Sequence, residues 1–251
     1  MTDKIKLSHA SAVILVYKEG DPRQVFMDRK DNSHPDVRCR MRFCPIGGNR
    51  NPNRDNGMGP YELAVGELKE ELTFERGARD SREYAEIGLV AESEDFAATP
   101  LVGKATKEDV TALERVKSAI IAVTRPFGDF VTIWPITNVG KPYQLSYQLC
   151  SYFEAPLPGG VWEELEALQK KFGNLSNESQ TEIWNLRDML KIPHHNMGAF
   201  SHGDCMQQWW VTHHCLEALE LPMTPGSAAR QFGMTKKSWE AYDANIEFER
   251  K

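Results

Sequence analysis

The sequence predicts a mixed α/β fold in which the strands and a first helix come early and the second half is helical. Three observations predict it. An apolar, β-branched run at residues 11–17 is closed by Gly20 and Pro22 and followed by a second apolar run at 24–27. A glycine pair, Gly47-Gly48, leads through a polar loop into an amphipathic segment at 60–74. Beyond Gly160 the pattern turns to helical spacings, and five of the six tryptophans (Trp162, Trp184, Trp209, Trp210 and Trp239) lie there.

In order along the chain, residues 11–17 read as a buried strand and 24–27 as its hairpin partner, ending in Arg29 and Lys30. Residues 41–46 form a third short extended segment that runs into the glycine pair. Residues 49–59, rich in Asn, Pro, Gly and Arg, read as a loop. Pro60 suits the first turn of a helix, where its missing N–H costs nothing. On that helix Tyr61, Ala64, Val65, Leu68 and Leu72 fall on one face, and Glu67, Glu70 and Glu71, spaced i, i+3, i+4, on another.

Residues 84–91 read as a strand. Thr106 and Asp109 form a capping box that opens a helix towards Ile121. Strands follow at 131–134 and 144–155, and Pro156, Pro158, Gly159 and Gly160 punctuate the chain. Helices are expected at 161–172, 178–190, 204–221 and about 236–249. A soft boundary near residue 159 gives two parts, 1–159 and a helical C-terminal extension at 160–251.

Composition bounds the function. Thirty Lys and Arg against 36 Asp and Glu give a net charge of −6, so the chain lacks the basic excess of a dedicated duplex-DNA binder. No apolar run reaches the roughly 18 residues that span a bilayer, and the first six residues do not resemble a signal peptide. Five cysteines at unrelated spacings (Cys39, Cys44, Cys150, Cys205 and Cys215) are expected of a reduced, cytoplasmic protein.

The chemistry concentrates where the glycine pair precedes the acidic helix. Clustered carboxylates repel one another, and a divalent cation is the simplest group that offsets this. Hard oxygen ligands suit Mg²⁺ or Mn²⁺ rather than zinc. His194, His195, His202, His213 and His214, with Cys205 and Cys215, match no standard zinc spacing. Trp209-Trp210 suit a packed core or a dimer interface better than base stacking.

These residues resemble the Nudix hydrolase family. Its box reads glycine, five residues, glutamate, seven residues, then R-E-U-x-E-E-x-G-U, with U a bulky apolar residue. Gly48 matches the opening glycine, and Glu67, Leu68, Glu70, Glu71 and Phe74 match the helix. The strand ending in Arg29 and Lys30, and the run Phe43-Cys-Pro-Ile-Gly-Gly48, resemble the family as well. The departures are specific. The loop from Gly48 to Gly66 is roughly four residues longer than the family's spacing. Gly66 stands at the box arginine, Met58 at its first glutamate and Thr73 at its later glycine. Arg50, Arg54 and Asp55 in the longer loop are candidates to replace the lost pair.

The resemblance implies an α/β/α sandwich with a mixed sheet. It also implies Mg²⁺- or Mn²⁺-dependent hydrolysis of a nucleoside diphosphate linked to another moiety, such as ADP-ribose, a nucleotide sugar or a dinucleotide. Glu67, Glu70 and Glu71 are then the metal ligands and catalytic residues. Arg29, Lys30, Arg42, Gly48 and Arg50 are the substrate-binding candidates, and Glu92, Glu94 and Asp95 are candidates for the general base. The partner is a nucleotide-type small molecule, with no duplex nucleic acid and no membrane; the C-terminal half helps to shape the pocket or a homodimer. The altered box motivates the alternative of a catalytically impaired nucleotide-binding or regulatory module on the same fold.

Overall fold

The computed structural model of the chain describes residues 4–30, 43–51, 54, 55, 57–75, 78, 79, 96, 97, 103–136, 144–177, 179–186, 188, 206, 209, 230, 231 and 247–249. The class is mixed α/β. The strands are β1 (Lys4–Lys18), β2 (Asp21–Arg29), β3 (Phe43–Cys44), β4 (Ile46–Asn49), β5 (Ala78–Arg79), β6 (Phe96–Ala97), β7 (Arg125–Ile136), β8 (Gln144–Leu157), β9 (Gln180–Asn185), β10 (Arg230–Gln231) and β11 (Glu247–Glu249). The helices are α1 (Pro60–Glu71), α2 (Lys107–Val123) and α3 (Gly159–Phe172).

One mixed sheet organises the molecule. Its order is β10-β7-β8-β1-β2-β3, with β4 and β11 also on β1 and β9 also on β2. The β1–β8 pair is parallel; β1 meets β2 and β4 antiparallel. One edge of β1 therefore forks: Ser11–Ile14 face Asn49–Ile46 of β4, and Val16–Lys18 face β2. At Gly47 a Cβ would lie 2.2 Å from the Ala12 carbonyl oxygen, so glycine there lets β4 come this close to β1.

The alternating period of β1 splits its side chains between two cores. Ala10, Ala12, Ile14 and Val16, with Phe26 and Phe153, pack under Leu63, Ala64 and Leu68 of α1, Leu113, Val116 and Ile120 of α2, and Trp162, Leu165 and Phe172 of α3. Val13, Leu15 and Tyr17 point the other way, onto Val25, Met27, Phe130, Tyr152, Leu186, Met206 and Trp209. Each of the larger buried side chains contributes about 1.5–3 kcal/mol.

Several sequence expectations meet the structure closely. Strands at 11–17, 24–27, 131–134 and 144–155 lie inside β1, β2, β7 and β8. The capping box at α2 forms: Asp109 N–H donates to Thr106 Oγ1 (3.3 Å) and Thr106 N–H to Asp109 Oδ2 (2.9 Å). The helix at 161–172 begins two residues earlier, at Gly159, and ends where Gly173 takes a left-handed φ of 69°.

Two expectations are corrected. Residues 180–185, read as part of a helix at 178–190, are a strand: β9 runs antiparallel to β2, from Gln24↔Asn185 to Arg29↔Gln180. The apolar spacing fits a helix, but β2 offers an open ladder and Thr181 and Ile183 suit a pleated surface, so tertiary pairing wins. Residues 247–249, read as the end of a helix, pair as β11 with Lys4–Lys6. The C-terminal extension is therefore not purely helical. The expected strand at 84–91, and most of the expected helices at 204–221 and 236–249, lie outside the described residues. No helix among the described residues is long and apolar enough to cross a membrane.

Candidate functional site

The site is built by α1 crossing β4 and the end of β2. Pro60 opens the helix and Gly59 precedes it with no side-chain cap. Its buried positions are Leu63, Ala64, Glu67, Leu68 and Glu71, so two carboxylates occupy the stripe that faces the sheet. At roughly 100° per residue, Glu67 and Glu71 stand about 40° apart within that stripe, while Glu70 falls beyond its edge. Glu71 is 1% exposed and Glu67 6%, and Glu70 is exposed. Leu63 takes the buried place expected of Tyr61, which is itself exposed and packs edge-on against Phe153.

The glycine pair makes room for both acids. A Cβ on Gly48 would lie 2.2 Å from Glu67 Oε2, so the carboxylate sits where a side chain would be. Gly47 has φ 145°, a Cβ there would meet Ala12 O at 2.2 Å, and its N–H donates to Glu71 Oε2 at 3.3 Å. Both glycines are thus required by close approach.

The long loop supplies the arginine that the helix lacks. Arg54 Nη2 reaches Glu67 Oε1 at 2.9 Å, and its Nε donates to Asp55 Oδ1 at 2.9 Å. Asp55, buried, also accepts from the Asn51 N–H at 2.8 Å, which fixes the loop. Arg50 is fully buried and donates from Nη1 to the Met58 carbonyl at 2.6 Å, so its guanidinium braces the loop from within. Gly66 faces open space, and Met58 is exposed.

The end of β2 delivers further charge. Lys30 Nζ stands 3.7 Å from Glu71 Oε1 and 3.6 Å from Asp28 Oδ2. Arg29 turns elsewhere: Nη2 pairs with Glu182 Oε1 of β9 at 2.6 Å, donates to Gln180 Oε1 at 3.3 Å, and lies 5.8 Å from the Phe43 ring centre. Asp28 was not singled out from the sequence. The signal for it was an acid closing the apolar run Val25-Phe-Met, at a position that shares Phe26's face by strand alternation.

The end of α1 is held by the segment after α3. Asn177 N–H donates to the Glu71 carbonyl at 3.0 Å, and Thr73 N–H to the Leu175 carbonyl at 3.1 Å. The first satisfies one of the carbonyls that a helix C-terminus leaves open, and the second ties the chain just beyond it.

No protein-family model and no curated protein matches this sequence. Among solved structures the chain is similar to the crystal structure of a NUDIX hydrolase from Alicyclobacillus acidocaldarius, with 14% identity over 78% of this chain and 85% of that one and a TM-score of 0.33.

The structure brings Glu67, Glu71, Gly48 and Lys30 together and leaves Glu70 at the rim. Among the described residues no three His, Cys, Asp or Glu side chains converge as a ready cation cage. Arg42, the base candidates Glu92, Glu94 and Asp95, and the histidines at 194, 195, 202, 213 and 214 lie outside the described residues.

Proposed function

We propose that this protein is a divalent-cation-dependent hydrolase of Nudix type. Its substrate is a nucleoside diphosphate linked to another group: ADP-ribose, a nucleotide sugar or a dinucleotide. The observation that carries the reading is the seating of Glu67 and Glu71 on the Gly47-Gly48 strand, with Arg54 of the lengthened loop on Glu67 in place of the box arginine. Losing the arginine at position 66 leaves no buried acid unpaired there, because the partner is supplied from another element.

The donor set fits Mg²⁺ or Mn²⁺. It is all oxygen, with Glu67 and Glu71 buried on the sheet-facing stripe and Glu70 at its rim. Glu67, Glu70 and Glu71 would hold the cation, which when bound neutralises pyrophosphate charge and acidifies water. Arg54 keeps the Glu67 carboxylate aimed at Gly48, and Lys30 offers an ammonium to substrate phosphate. A helix carboxylate takes the proton from the attacking water as the new P–O bond forms and the bridging P–O bond breaks. Residues 1–159 carry this chemistry, and the described part of 160–251, α3 and β9 above all, packs into the same core and sheet.

A panel of ADP-ribose, nucleotide sugars, dinucleoside polyphosphates and nucleoside triphosphates with Mg²⁺ or Mn²⁺ tests the reading. Turnover is expected on at least one diphosphate-linked member, and Glu70→Gln and Glu71→Gln each lower it by orders of magnitude with little change in Tm. Wild-type rates in both variants would rule the assignment out. One observation favours a second reading, a nucleotide-binding module without turnover: Glu67 and Glu71 each already face a cation of the chain, Arg54 and Lys30. Tight nucleotide binding with no hydrolysis across the panel would decide for it.

A further inference from the structure

Asp28 stands apart from the other buried acids. It is 1% exposed, and neither carboxylate oxygen finds a hydrogen-bond donor among the described residues. Among the described residues the Lys30 ammonium stands 3.6 Å from Oδ2, beyond hydrogen-bonding reach. Its neighbours Val25, Phe26 and Met27 are fully buried. Leaving a buried carboxylate without donors costs several kcal/mol in general, and such groups mark sites with a further task.

The same ammonium stands 3.7 Å from Glu71 Oε1. One nitrogen therefore bridges a carboxylate of β2 and a carboxylate of α1, and both acids are buried. Two carboxylates at one cation, completed by waters and substrate phosphates, is the usual protein contribution to a Mg²⁺ site. A compact ammonium on a flexible stem can leave such a position, whereas a planar, multiply hydrogen-bonded guanidinium leaves less readily. Arg29, the neighbouring cation, is tied to Glu182 and Gln180 of β9 and does not compete for it.

We propose that Asp28 joins Glu71 as a ligand of the divalent cation, and that Lys30 is the built-in rival for that place, displaced towards substrate phosphate when the cation binds. This rests on the hydrolase reading above and adds to it a ligand from outside the acidic helix, together with a competition between lysine and metal.

The test is Mn²⁺ binding to the full-length protein without nucleotide, read from the free-ion electron paramagnetic resonance signal. Wild type, Asp28→Asn, Lys30→Gln and Glu71→Gln are compared, with Tm measured for each. Asp28→Asn is expected to weaken Mn²⁺ binding at least tenfold and Lys30→Gln to strengthen it several-fold. Opposite signs from two neighbouring residues are not what loss of packing produces. If Asp28→Asn does not fold, Lys30→Gln decides alone, and unchanged affinity in it overturns the proposal. Wild-type affinity in both variants, with binding lost in Glu71→Gln, overturns the role of Asp28 and Lys30 and leaves the hydrolase reading standing. A wild-type protein that binds no Mn²⁺ overturns the proposal, and the hydrolase reading falls with it only if the substrate panel is also negative.

Discussion

Two adjacent glycines do different work. At Gly48 the atom in the way of a Cβ is the end of the Glu67 side chain, which can swing aside; at Gly47 it is the backbone of Ala12, which cannot. Gly48→Ala is expected to keep the fold, shifting Tm by a few degrees at most, while displacing Glu67 and lowering turnover at least tenfold. Gly47→Ala, strained also by its φ of 145°, is expected to cost about 1–3 kcal/mol of stability. Thermal melts beside rate assays separate the two, and equal Tm losses would contradict the distinction. Beside Ser151 of β8, burial pushes the Asp129 carboxyl above the ordinary range, partly offset by a hydrogen bond from Ser151 Oγ at 2.5 Å. A raised native value means that this group's contribution is intact below the ordinary carboxylate pKa and is lost as pH climbs through the native value. Asp129→Asn is therefore expected to raise Tm at pH 7 and to leave it unchanged near pH 3. A gain that persists in acid would refute the account. Burial likewise pushes the Cys150 thiol up to about 12, which keeps it protonated and unreactive at neutral pH.

Elements hold the site by their ends. α2 starts at a reciprocal Thr106–Asp109 cap, and Asp109 also accepts from Lys171 Nζ of α3 at 2.7 Å. The Lys171 ammonium and the Thr106 bonds hold the Asp109 carboxyl below its usual range, so this contribution is present at neutral pH and lost as pH falls through the native value. Thr106→Ala is expected to cost about 1 kcal/mol, read from urea unfolding, with no change in turnover because α2 contributes nothing to the acidic stripe. β9 owes its place to a polar hinge. Asn174 donates to the Ser176 and Ser179 carbonyls and accepts from the Ser176 and Thr181 N–H groups, all at 2.8–3.0 Å. Gln169 Nε2 donates to the Thr181 carbonyl at 2.6 Å. These bonds turn the chain out of α3 and lay residues 180–185 along β2, where Glu182 meets Arg29.

At the scale of the molecule, the extension after residue 159 is built into the fold it follows. Trp162, Leu165, Leu168 and Phe172 lie in the same buried cluster as the α1 and β1 side chains, β9 completes the sheet edge, and Leu175 and Asn177 close the end of α1. Those four side chains contribute roughly 6–12 kcal/mol of burial in all, comparable to the ~5–15 kcal/mol of net stability a domain has. A fragment ending at residue 159 is therefore expected to lack a cooperative thermal transition, as followed by circular dichroism. Native-like, cooperative melting of that fragment would show that the N-terminal part stands alone.

Local patterns in the sequence determined the apolar stretches of β1 and β2, the short β3, the start of α1 at Pro60, the Thr106 cap of α2, and the acidic helix and glycine pair of the site, because each depends on residues close together in the chain; the pairing of Ile46–Asn49 with β1, read locally as a turn into a loop, did not show there. What only the tertiary structure decided is which of these meet. The i, i+3, i+4 spacing groups Glu67, Glu70 and Glu71, but the direction in which α1 rolls onto β4 buries Glu67 and Glu71 and leaves Glu70 outside. Arg54 replaces an arginine 12 positions along the chain because the loop folds back over the helix. Residues 180–185 became a strand because the open edge of β2 offered hydrogen bonds that no local propensity could record. Spacing fixes which side chains share a face, and packing against the sheet determines which of those faces is buried.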